Sequence, residues 1–364
     1  MRKLFLGFLV LAAFICFYSS CKQCNQPKDN NVVKTDTTGI PGVEAASLAI
    51  QKDSLNADLW YKRAQLYAEN SEFKNATTDM YVALQLDSLR PEFYLFTADL
   101  FKNTGEENKA DLKRGIALMQ KAIALDSTNT KFYVKAAELA FLDTSIERNY
   151  AIAISYLDAA IARDPQNADI YFYKGNIFKE IGDTTKAISS FKTATELNPQ
   201  YYEAFRQIGM LLKAKNDKNA IKYLDNAIKV SDKPVDALYA KAEMLKQEGV
   251  RLYDGNKTAA AIAQLQGAID CYKKVIDINY RNEEAYMGVG FCYYQMDSVQ
   301  DAYEYYDKAV KIAPTYAGAY FSKGVCAEDL GKIEEAKMLF ENCLSIDPDF
   351  TRAKEHLQRL QGAQ

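Results

Sequence analysis

The fold of this chain is decided by residues 168–200, which read ADIYFYKGNIFKEIGDTTKAISSFKTATELNPQ. Tyr171, Gly175 and Phe178 recur at helical spacing before Gly182 interrupts the pattern. A second helical pattern follows, and a proline ends it. Small residues that alternate with large ones allow two helices to approach closely, with aromatic rings between them. One such hairpin cannot bury its apolar faces alone, so it requires similar hairpins on both sides.

The same order of residues recurs along the chain. A leading aromatic residue, replaced once by leucine, falls at Trp60, Tyr94, Tyr133, Tyr171, Phe205, Leu238, Tyr286 and Tyr320. The small residue four positions later is Ala64, Ala98, Ala137, Gly175, Gly209, Ala242, Gly290 or Gly324. Several of these spacings are about 34 residues, the period of one class of paired-helix repeat. From Val43 to its end, the sequence therefore resembles the tetratricopeptide repeat family.

This resemblance implies an all-α fold, a right-handed superhelical α-solenoid of about eight helix pairs. The predicted solenoid spans residues 43–364, beginning with a half-repeat at Val43–Lys52 and ending with a capping helix at 351–361. The repeats are predicted near residues 57–90, 91–129, 130–167, 168–201, 202–234, 235–282, 283–316 and 317–350. A fold of this kind presents a surface rather than a reaction centre.

The first 20 residues differ in character from the repeats. Arg2 and Lys3 precede an apolar run, residues 4–18, which is short for a membrane span and typical of a signal peptide. Two serines and Cys21 follow, an ending that resembles the processing site of bacterial lipoproteins. The resemblance implies that residues 1–20 are removed and that acylated Cys21 holds the chain in a membrane, most simply the bacterial outer membrane. An uncleaved anchor and an ordinary secretory signal are the alternatives.

Residues 21–42 are predicted to form a flexible spacer, because they are polar and contain few bulky apolar side chains. As a random coil, a spacer of this length would hold the repeats about 25 Å from the membrane surface. Cys21 and Cys24 have C-x-x-C spacing. No helix start or second cysteine pair accompanies them, so neither a redox site nor a metal site is predicted there.

No motif in the sequence predicts catalysis, a cofactor or a metal. Phosphate-loop, zinc-protease, nucleophile-elbow and dinucleotide-binding patterns are all absent. His356, the only histidine, is predicted to be a solvated side chain on a polar helix, without a ligand or triad partner at suitable spacing. The formal charge of −3, without a basic stripe, argues against nucleic acid as a partner. We therefore predict a protein that is not an enzyme.

Four cysteines lie within predicted helices, at positions 271, 292, 326 and 343. We predict that they are buried as small apolar residues. Cys292 and Cys326 occupy equivalent positions in successive repeats, where helix spacing is usually too wide for a disulfide. A location in the cell envelope would permit disulfides, so a bridge stays an alternative.

The sixth predicted repeat contains an insertion of about 14 residues relative to the usual period, between Leu245 and Ala268. The inserted stretch keeps a helical pattern and has a turn signal at residues 254–256. We predict that both helices are lengthened by about two turns, so that the tip of the hairpin projects from the stack. A tip without packing contacts is a candidate for function, and a neutral insertion is the alternative.

The first helix of each pair is expected to line the concave wall of the stack. Aromatic and apolar side chains exposed on such a wall are typical of binding anchors, although some are expected to pack against neighbouring repeats instead. The predicted partner-binding residues are Tyr61, Phe96, Lys131, Lys135, Phe172, Tyr173, Asn176, Arg206, Tyr239, Met287, Phe291, Tyr294 and Phe321.

Some relatives in this family hold C-terminal carboxylates with paired Lys and Asn side chains on successive first helices. Lys131 and Lys135 supply part of that set, but Tyr61 and Phe96 stand where the preceding repeats would need polar residues. We therefore predict a groove for an apolar peptide or a helix.

These features together predict a membrane-anchored adaptor or scaffold that binds other proteins through its concave surface. One alternative is a structural subunit of an envelope machine for secretion, outer-membrane assembly or pilus biogenesis. Another is a ligand-binding module that uses the 245–268 extension.

Overall fold

The computed structural model describes residues 39–104, 109–143 and 150–362, and every regular element in these ranges is an α-helix. The helices in chain order are α1 Val43–Lys52, α2 Ala57–Glu69, α3 Phe73–Leu86, α4 Pro91–Thr104, α5 Lys109–Leu125, α6 Thr130–Leu142, α7 Tyr150–Ile161, α8 Ala168–Ile181, α9 Thr184–Leu197, α10 Tyr202–Ala214, α11 Asn219–Val230, α12 Val235–Asp254, α13 Thr258–Ile278, α14 Glu283–Gln295, α15 Val299–Ile312, α16 Ala317–Asp329, α17 Ile333–Ile346 and α18 Thr351–Gly362. The predicted all-α fold class is confirmed.

The chain divides into two compact units, Met1–Arg148 and Asn149–Gln364. The first contains α1–α6 and the second α7–α18, so the boundary falls within the predicted third repeat. Within each unit consecutive helices pack against one another, whereas helices two apart meet at few places. Packing between nearest neighbours is characteristic of helical-repeat solenoids. The predicted signal peptide, Cys21, Cys24 and most of the spacer lie outside the described residues.

Paired helices approach closely because a residue without a bulky side chain faces a ring on the partner helix. A Cβ atom added at Gly175 of α8 would lie 2.5 Å from the ring of Phe191 on α9. At Gly290 of α14 the same addition would lie 2.7 Å from the ring of Tyr306 on α15. Both distances are shorter than van der Waals contact, so these positions accept only glycine without a shift of the helices.

Asparagine side chains start several of the first helices. The side-chain oxygens of Asn56, Asn129 and Asn167 accept hydrogen bonds from the backbone N–H groups at the starts of α2, α6 and α8. Asn282 caps α14 through the N–H of Ala285, at 2.8 Å. Each cap satisfies a donor that the helix itself leaves without a partner, so the sequence fixes where these helices begin.

A buried ion pair joins the first three helices. The guanidinium of Arg63 on α2 donates two hydrogen bonds of 2.7 Å to the carboxylate of Asp79 on α3. A third N–H of Arg63 donates to Ser47 Oγ on α1, at 2.9 Å. The guanidinium carbon also lies 5.0 Å from the Trp60 ring centroid and 5.8 Å from that of Tyr67. Burial raises the pKa of the Asp79 carboxyl, and Arg63 opposes this shift.

The insertion lengthens both helices of its repeat, as predicted. Helices α12 and α13 contain 20 and 21 residues, whereas α10, α11, α14 and α15 contain 12 to 14. The turn between them has Asn256 at a φ of 56°. Gly249, Ala261 and Leu265 are buried between the two extended helices, whereas residues 254–260 at the tip are exposed.

The four cysteines of the described helices are buried free thiols, which confirms their predicted burial. Burial raises the pKa of Cys292 and of Cys326 to about 12, so both thiols stay protonated at neutral pH. In the ranges that the structure describes, no helix combines the length and the hydropathy needed to cross a bilayer.

We predict that Arg63→Met lowers the free energy of unfolding by about 3–5 kcal/mol at neutral pH, because a buried carboxylate loses its cation. Trp60 is the only tryptophan of the chain and lies beside Arg63, so its fluorescence during denaturant unfolding reports on this region. The double variant Arg63→Met/Asp79→Leu is the matched control. It should recover most of the loss because no buried charge remains.

The loss of unfolding free energy in Arg63→Met should also depend on pH. An acid whose pKa is raised in the folded state binds its proton more tightly there, so stability is highest at low pH and falls as pH rises through that pKa. Removal of Arg63 raises the pKa of Asp79 further, and the deficit of Arg63→Met should shrink as pH falls towards about 4. If Arg63→Met lost the same unfolding free energy at neutral pH and near pH 4, the loss could not be attributed to the unpaired Asp79 carboxylate.

Candidate partner-binding groove

Two adjoining pockets lie on the first helices of the second unit. One, of about 360 Å³, is lined chiefly by α14 and α16 with the start of α18. The other, of about 240 Å³, is lined chiefly by α12 and α14. They share Met287, Phe291, Tyr306 and Ser322. We call the two pockets together the α12–α16 groove. Its lining residues from the first helices and α18 include Tyr239, Glu243, Lys246, Glu284, Met287, Phe291, Tyr294, Phe321, Val325 and Arg352.

The floor of the groove is apolar. Met287, Phe291 and Tyr294 are half-buried on α14, and their spacing of four and three residues places them on one face of the helix. Phe321 on α16 is only 5% exposed. Its ring centroid lies 5.9 Å from that of Phe340 and 5.0 Å from that of Phe350. Phe321 therefore belongs to the rigid base of the pocket.

Carboxylates lie at the α12 end of the groove. Glu243 accepts a hydrogen bond from the Tyr272 hydroxyl and pairs with Lys246 Nζ at 2.7 Å. Lys246 Nζ also lies 5.4 Å from the Phe291 ring centroid. Burial raises the pKa of Tyr239, and the nearby carboxylates of Glu243 and Glu284 raise it further. Two carboxylates and one ammonium thus give this end a net negative charge.

A cation lies at the α18 end. The guanidinium carbon of Arg352 is 4.7 Å from the Phe321 ring centroid. Arg352 is exposed, and it has no ion-pair partner in the described part of the chain. Tyr294 lines the same pocket, and its hydroxyl donates a hydrogen bond of 2.8 Å to Asp329. Burial and the nearby Asp329 carboxylate raise the pKa of Tyr294 to about 12, so its hydroxyl stays protonated.

The structure brings together Tyr239, Met287, Phe291, Tyr294 and Phe321, five of the residues singled out in the sequence. The five lie on the three successive first helices α12, α14 and α16. Together they form one continuous lining, with apolar side chains at the centre and charged groups at either end.

Four further sequence candidates of the second unit lie on α8 and α10, outside the α12–α16 groove. The ring centroid of Phe172 is 4.9 Å from that of Tyr201 and 5.5 Å from that of Phe191, so this side chain packs against its neighbours. Tyr173 is 39% exposed, and Asn176 beside it is half-buried. Arg206 forms an ion pair of 3.5 Å with Asp236.

The candidates of the first unit are separate again. The rings of Tyr61 and Phe96 meet edge to face with centroids 5.3 Å apart. Lys135 Nζ lies 2.6 Å from Asp99 and 2.5 Å from Glu138, whereas Lys131 is exposed. The charge of Lys135 is thus matched within the unit, which leaves it poorly placed to receive a partner's carboxylate.

His356 holds the capping helix α18 in place, and the expectation of a solvated side chain is wrong. Its Nδ1 lies 2.8 Å from Glu328 Oε2 on α16. The ring packs against Phe321 and Phe340, with centroid distances of 5.6 and 5.1 Å. This contact positions the start of α18, which supplies Arg352 to the groove.

Several groove residues were missed in the sequence: Lys246, Glu284, Tyr306, Ser322, Phe350 and Arg352. Lys246 follows Tyr239 by seven positions, so helical spacing alone predicts that they share a face. Phe350 and Arg352 carry no such signal, because they lie at the capping helix outside the repeat pattern. Among the described residues, no group of three His, Cys, Asp or Glu side chains is arranged to hold a metal ion.

Comparison with known proteins places this chain among helical repeats. Family models of the tetratricopeptide repeat match residues 147–202, 246–317 and 317–350. The chain is 24% identical over 184 residues to anaphase-promoting complex subunit 3 of Schizosaccharomyces pombe. That match covers 50% of this chain and 26% of the relative, so the chain spans about a quarter of the relative's length.

Among the solved structures that this chain resembles are two TPR proteins. One is the C-terminal part of a TPR repeat-containing protein from Cytophaga hutchinsonii, with a TM-score of 0.54 and 17% identity, covering 74% of this chain and 99% of that one. The other is YrrB, described as a TPR protein with an unusual peptide-binding site. It gives a TM-score of 0.46 and 20% identity, covering 55% of this chain and 96% of YrrB. The first of these supports the helical-repeat fold.

We predict that His356→Ala loosens α18 while leaving distant helices unchanged, because each helix of a solenoid is stabilised mainly by its neighbours. Amide hydrogen exchange should rise in residues 351–362 by about tenfold, which corresponds to about 1.4 kcal/mol of lost local stability. Gln358→Ala, at an exposed position of the same helix, is the matched control. Equal exchange in the two variants would show that the His356 contacts do not hold the cap.

Proposed function

Because this chain is a tetratricopeptide repeat protein, we propose that it is a membrane-anchored adaptor that binds an extended segment of a partner protein in the α12–α16 groove. Tetratricopeptide repeats make it a scaffold for protein–protein interaction. The observation that carries the proposal is the pair of adjoining pockets on three successive first helices. Concave apolar pockets with a few convergent polar groups are typical of binding sites.

The chemistry of the groove defines the segment that fits it. Apolar or aromatic side chains of the ligand occupy the two pockets against Phe291 and Phe321, where burial of apolar area supplies most of the binding energy. A basic side chain lies near Glu243 and Glu284 at one end. A carboxylate lies near Arg352 at the other end and gains a charge-assisted hydrogen bond. The two charged ends fix the direction in which the segment binds.

The membrane anchor rests on the amino-terminal sequence. Arg2 and Lys3, the apolar run and the Ser-Ser-Cys21 ending support lipid attachment at Cys21 in a bacterial envelope. Each buried methylene of an acyl chain contributes about 0.8 kcal/mol, so two or more chains give stable anchoring where one is marginal. The polar spacer then gives the repeats reach from the outer membrane to the partner. This role requires no catalysis and no cofactor.

The groove is tested with peptides selected on the purified full chain from a random display library. We expect the selected peptides to share an apolar anchor and to lose affinity for Phe291→Ala by about 2 kcal/mol or more, as for a central interface aromatic. Arg352→Glu should weaken those peptides that carry an acidic residue at one end. Fluorescence anisotropy with labelled peptides measures both effects.

Tyr280→Ala is the matched control, because Tyr280 is an exposed aromatic residue of the same unit that lies outside the groove. It should leave peptide affinity within about twofold, the range of a neutral surface change. If the selected peptides bound wild type and Phe291→Ala equally, the groove would not be their binding site and this part of the proposal would be wrong.

The anchor is tested separately with Cys21→Ser. Expression with a labelled fatty acid should label the wild-type protein and leave the variant unlabelled, because serine does not supply the acceptor thiol. The variant should also leave the membrane fraction or keep its first 20 residues. Cys24→Ser is the control, since Cys24 lies three positions beyond the predicted acceptor. Equal labelling of Cys21→Ser and wild type would exclude Cys21 as the lipid attachment site.

A further inference from the structure

A further cavity, of about 470 Å³, lies beside the extended α12–α13 hairpin. Its lining residues come from the α10–α11 turn and from the adjacent side of the hairpin: Lys213, Asn216, Lys218, Ile221, Met244, Gln247, Glu248, Arg251 and Gln264. Four of these residues, Gln247, Glu248, Arg251 and Gln264, belong to the inserted stretch. We call this cavity the hairpin cleft.

The unequal lengths of neighbouring helices create the hairpin cleft. Helix α10 ends at Ala214 and α11 begins at Asn219, whereas α12 continues to Asp254. The last turns of α12 therefore extend past the α10–α11 turn. Elsewhere on the hairpin the extra surface is covered by apolar packing, because Tyr253 and Met296 join the core formed by α12, α13 and α14.

The hairpin cleft carries more positive than negative charge. Arg251 donates hydrogen bonds of 2.7 and 2.6 Å to the two carboxylate oxygens of Glu248, and Lys218 Nζ lies 3.4 Å from the same carboxylate. Lys213 has no ion-pair partner within the described ranges. Three cationic side chains thus face one carboxylate, on a chain whose formal charge is −3.

Glu248 remains ionised in the cleft. The hydrogen bonds from Arg251 lower the pKa of Glu248 to about 2, and Lys218 contributes to the same shift. The carboxylate is therefore available to pair with the Arg251 guanidinium at all physiological pH values. A guanidinium held by one carboxylate keeps further N–H donors available to a second anion.

Uncharged side chains complete the cleft. Met244 and Ile221 are half-buried and supply apolar surface. Asn216, Gln247 and Gln264 supply amide donors and acceptors of the kind that bind a peptide backbone. Apolar surface and amides are poorly suited to an isolated inorganic ion, which is typically bound by charged groups and backbone N–H groups.

We propose that the hairpin cleft binds an acidic, partly apolar segment of a partner protein. Lys213, Lys218 and Arg251 receive its carboxylates, and Met244 and Ile221 receive an apolar side chain. The cleft is distinct from the α12–α16 groove, because the two use different faces of α12. Tyr239, Glu243 and Lys246 face the groove, whereas Met244, Glu248 and Arg251 face the cleft. The proposal therefore stands without the function proposed for the groove.

The probe is a fluorescein-labelled peptide of sequence ELEELE, with QLQQLQ as its uncharged counterpart, titrated with the full chain in mild detergent. Titration at about 150 mM salt reduces the Debye length to about 8 Å, so charges outside the cleft contribute little. We expect saturable binding of ELEELE and about tenfold weaker binding of QLQQLQ, as for the loss of charge-assisted contacts. Equal binding of the two peptides would overturn the proposal.

The variant Lys213→Glu/Lys218→Glu should weaken ELEELE binding about tenfold or more, because both cations become carboxylates that repel the ligand. Lys215→Glu/Lys222→Glu makes the same change of charge at two exposed lysines that do not line the cleft. It should change the affinity less than about threefold, as expected for screened charges. If both double variants lost the same affinity for ELEELE, the effect would come from the overall charge of the protein rather than from the cleft, and the proposal would be overturned.

Two competitions complete the test. Inorganic phosphate should displace ELEELE only at the concentrations at which chloride does so. Displacement by phosphate at much lower concentration would identify a site for a free anion and overturn the assignment to a protein segment. Phe291→Ala should bind ELEELE as tightly as wild type, whereas loss of binding in that variant would place the peptide in the α12–α16 groove.

Discussion

Close contact between paired helices, with a small residue facing a ring, is the constraint on which this structure depends. Gly175 faces Phe191, Gly290 faces Tyr306 and Gly324 faces Phe340, and an added Cβ would lie 2.5 to 2.7 Å from these rings. Contacts this close permit few alternative arrangements of the two helices. They also direct the remaining faces of each first helix away from its own partner. Those faces are free to pack against the next repeat or to bind another molecule.

The α12–α16 groove forms where successive first helices leave such faces partly uncovered. Its base is rigid because Phe321 is held by Phe340, Phe350 and His356. The polar groups at its two ends have different origins. Glu243 belongs to a repeat helix, whereas Arg352 comes from the capping helix. The cap therefore does more than cover the last apolar face of the stack, because it also supplies part of the lining of the groove.

Helix α12 presents different chemistry on its two free faces. The face towards α14 carries Tyr239, Glu243 and Lys246 beside apolar neighbours. The face towards the α10–α11 turn carries Glu248 and Arg251 in the hairpin cleft. The insertion between Leu245 and Ala268 supplies Glu248 and Arg251 of the second face and also Lys246 of the first. An insertion into a repeat can thus add side chains to more than one surface of the same helix.

The sequence by itself determined the helix pairs, the lengthened hairpin and the positions of Gly175 and Gly290, because these follow from local spacing within each repeat. It also identified Tyr239, Met287, Phe291, Tyr294 and Phe321 as neighbours on first helices. Only the tertiary structure decided that His356 is packed and that Arg352 lies beside Phe321. The capping helix lies outside the repeat, so the repeat pattern does not predict its contacts. Ion pairs between helices depend on distances between side chains, and the spacing of residues along one helix does not define those distances.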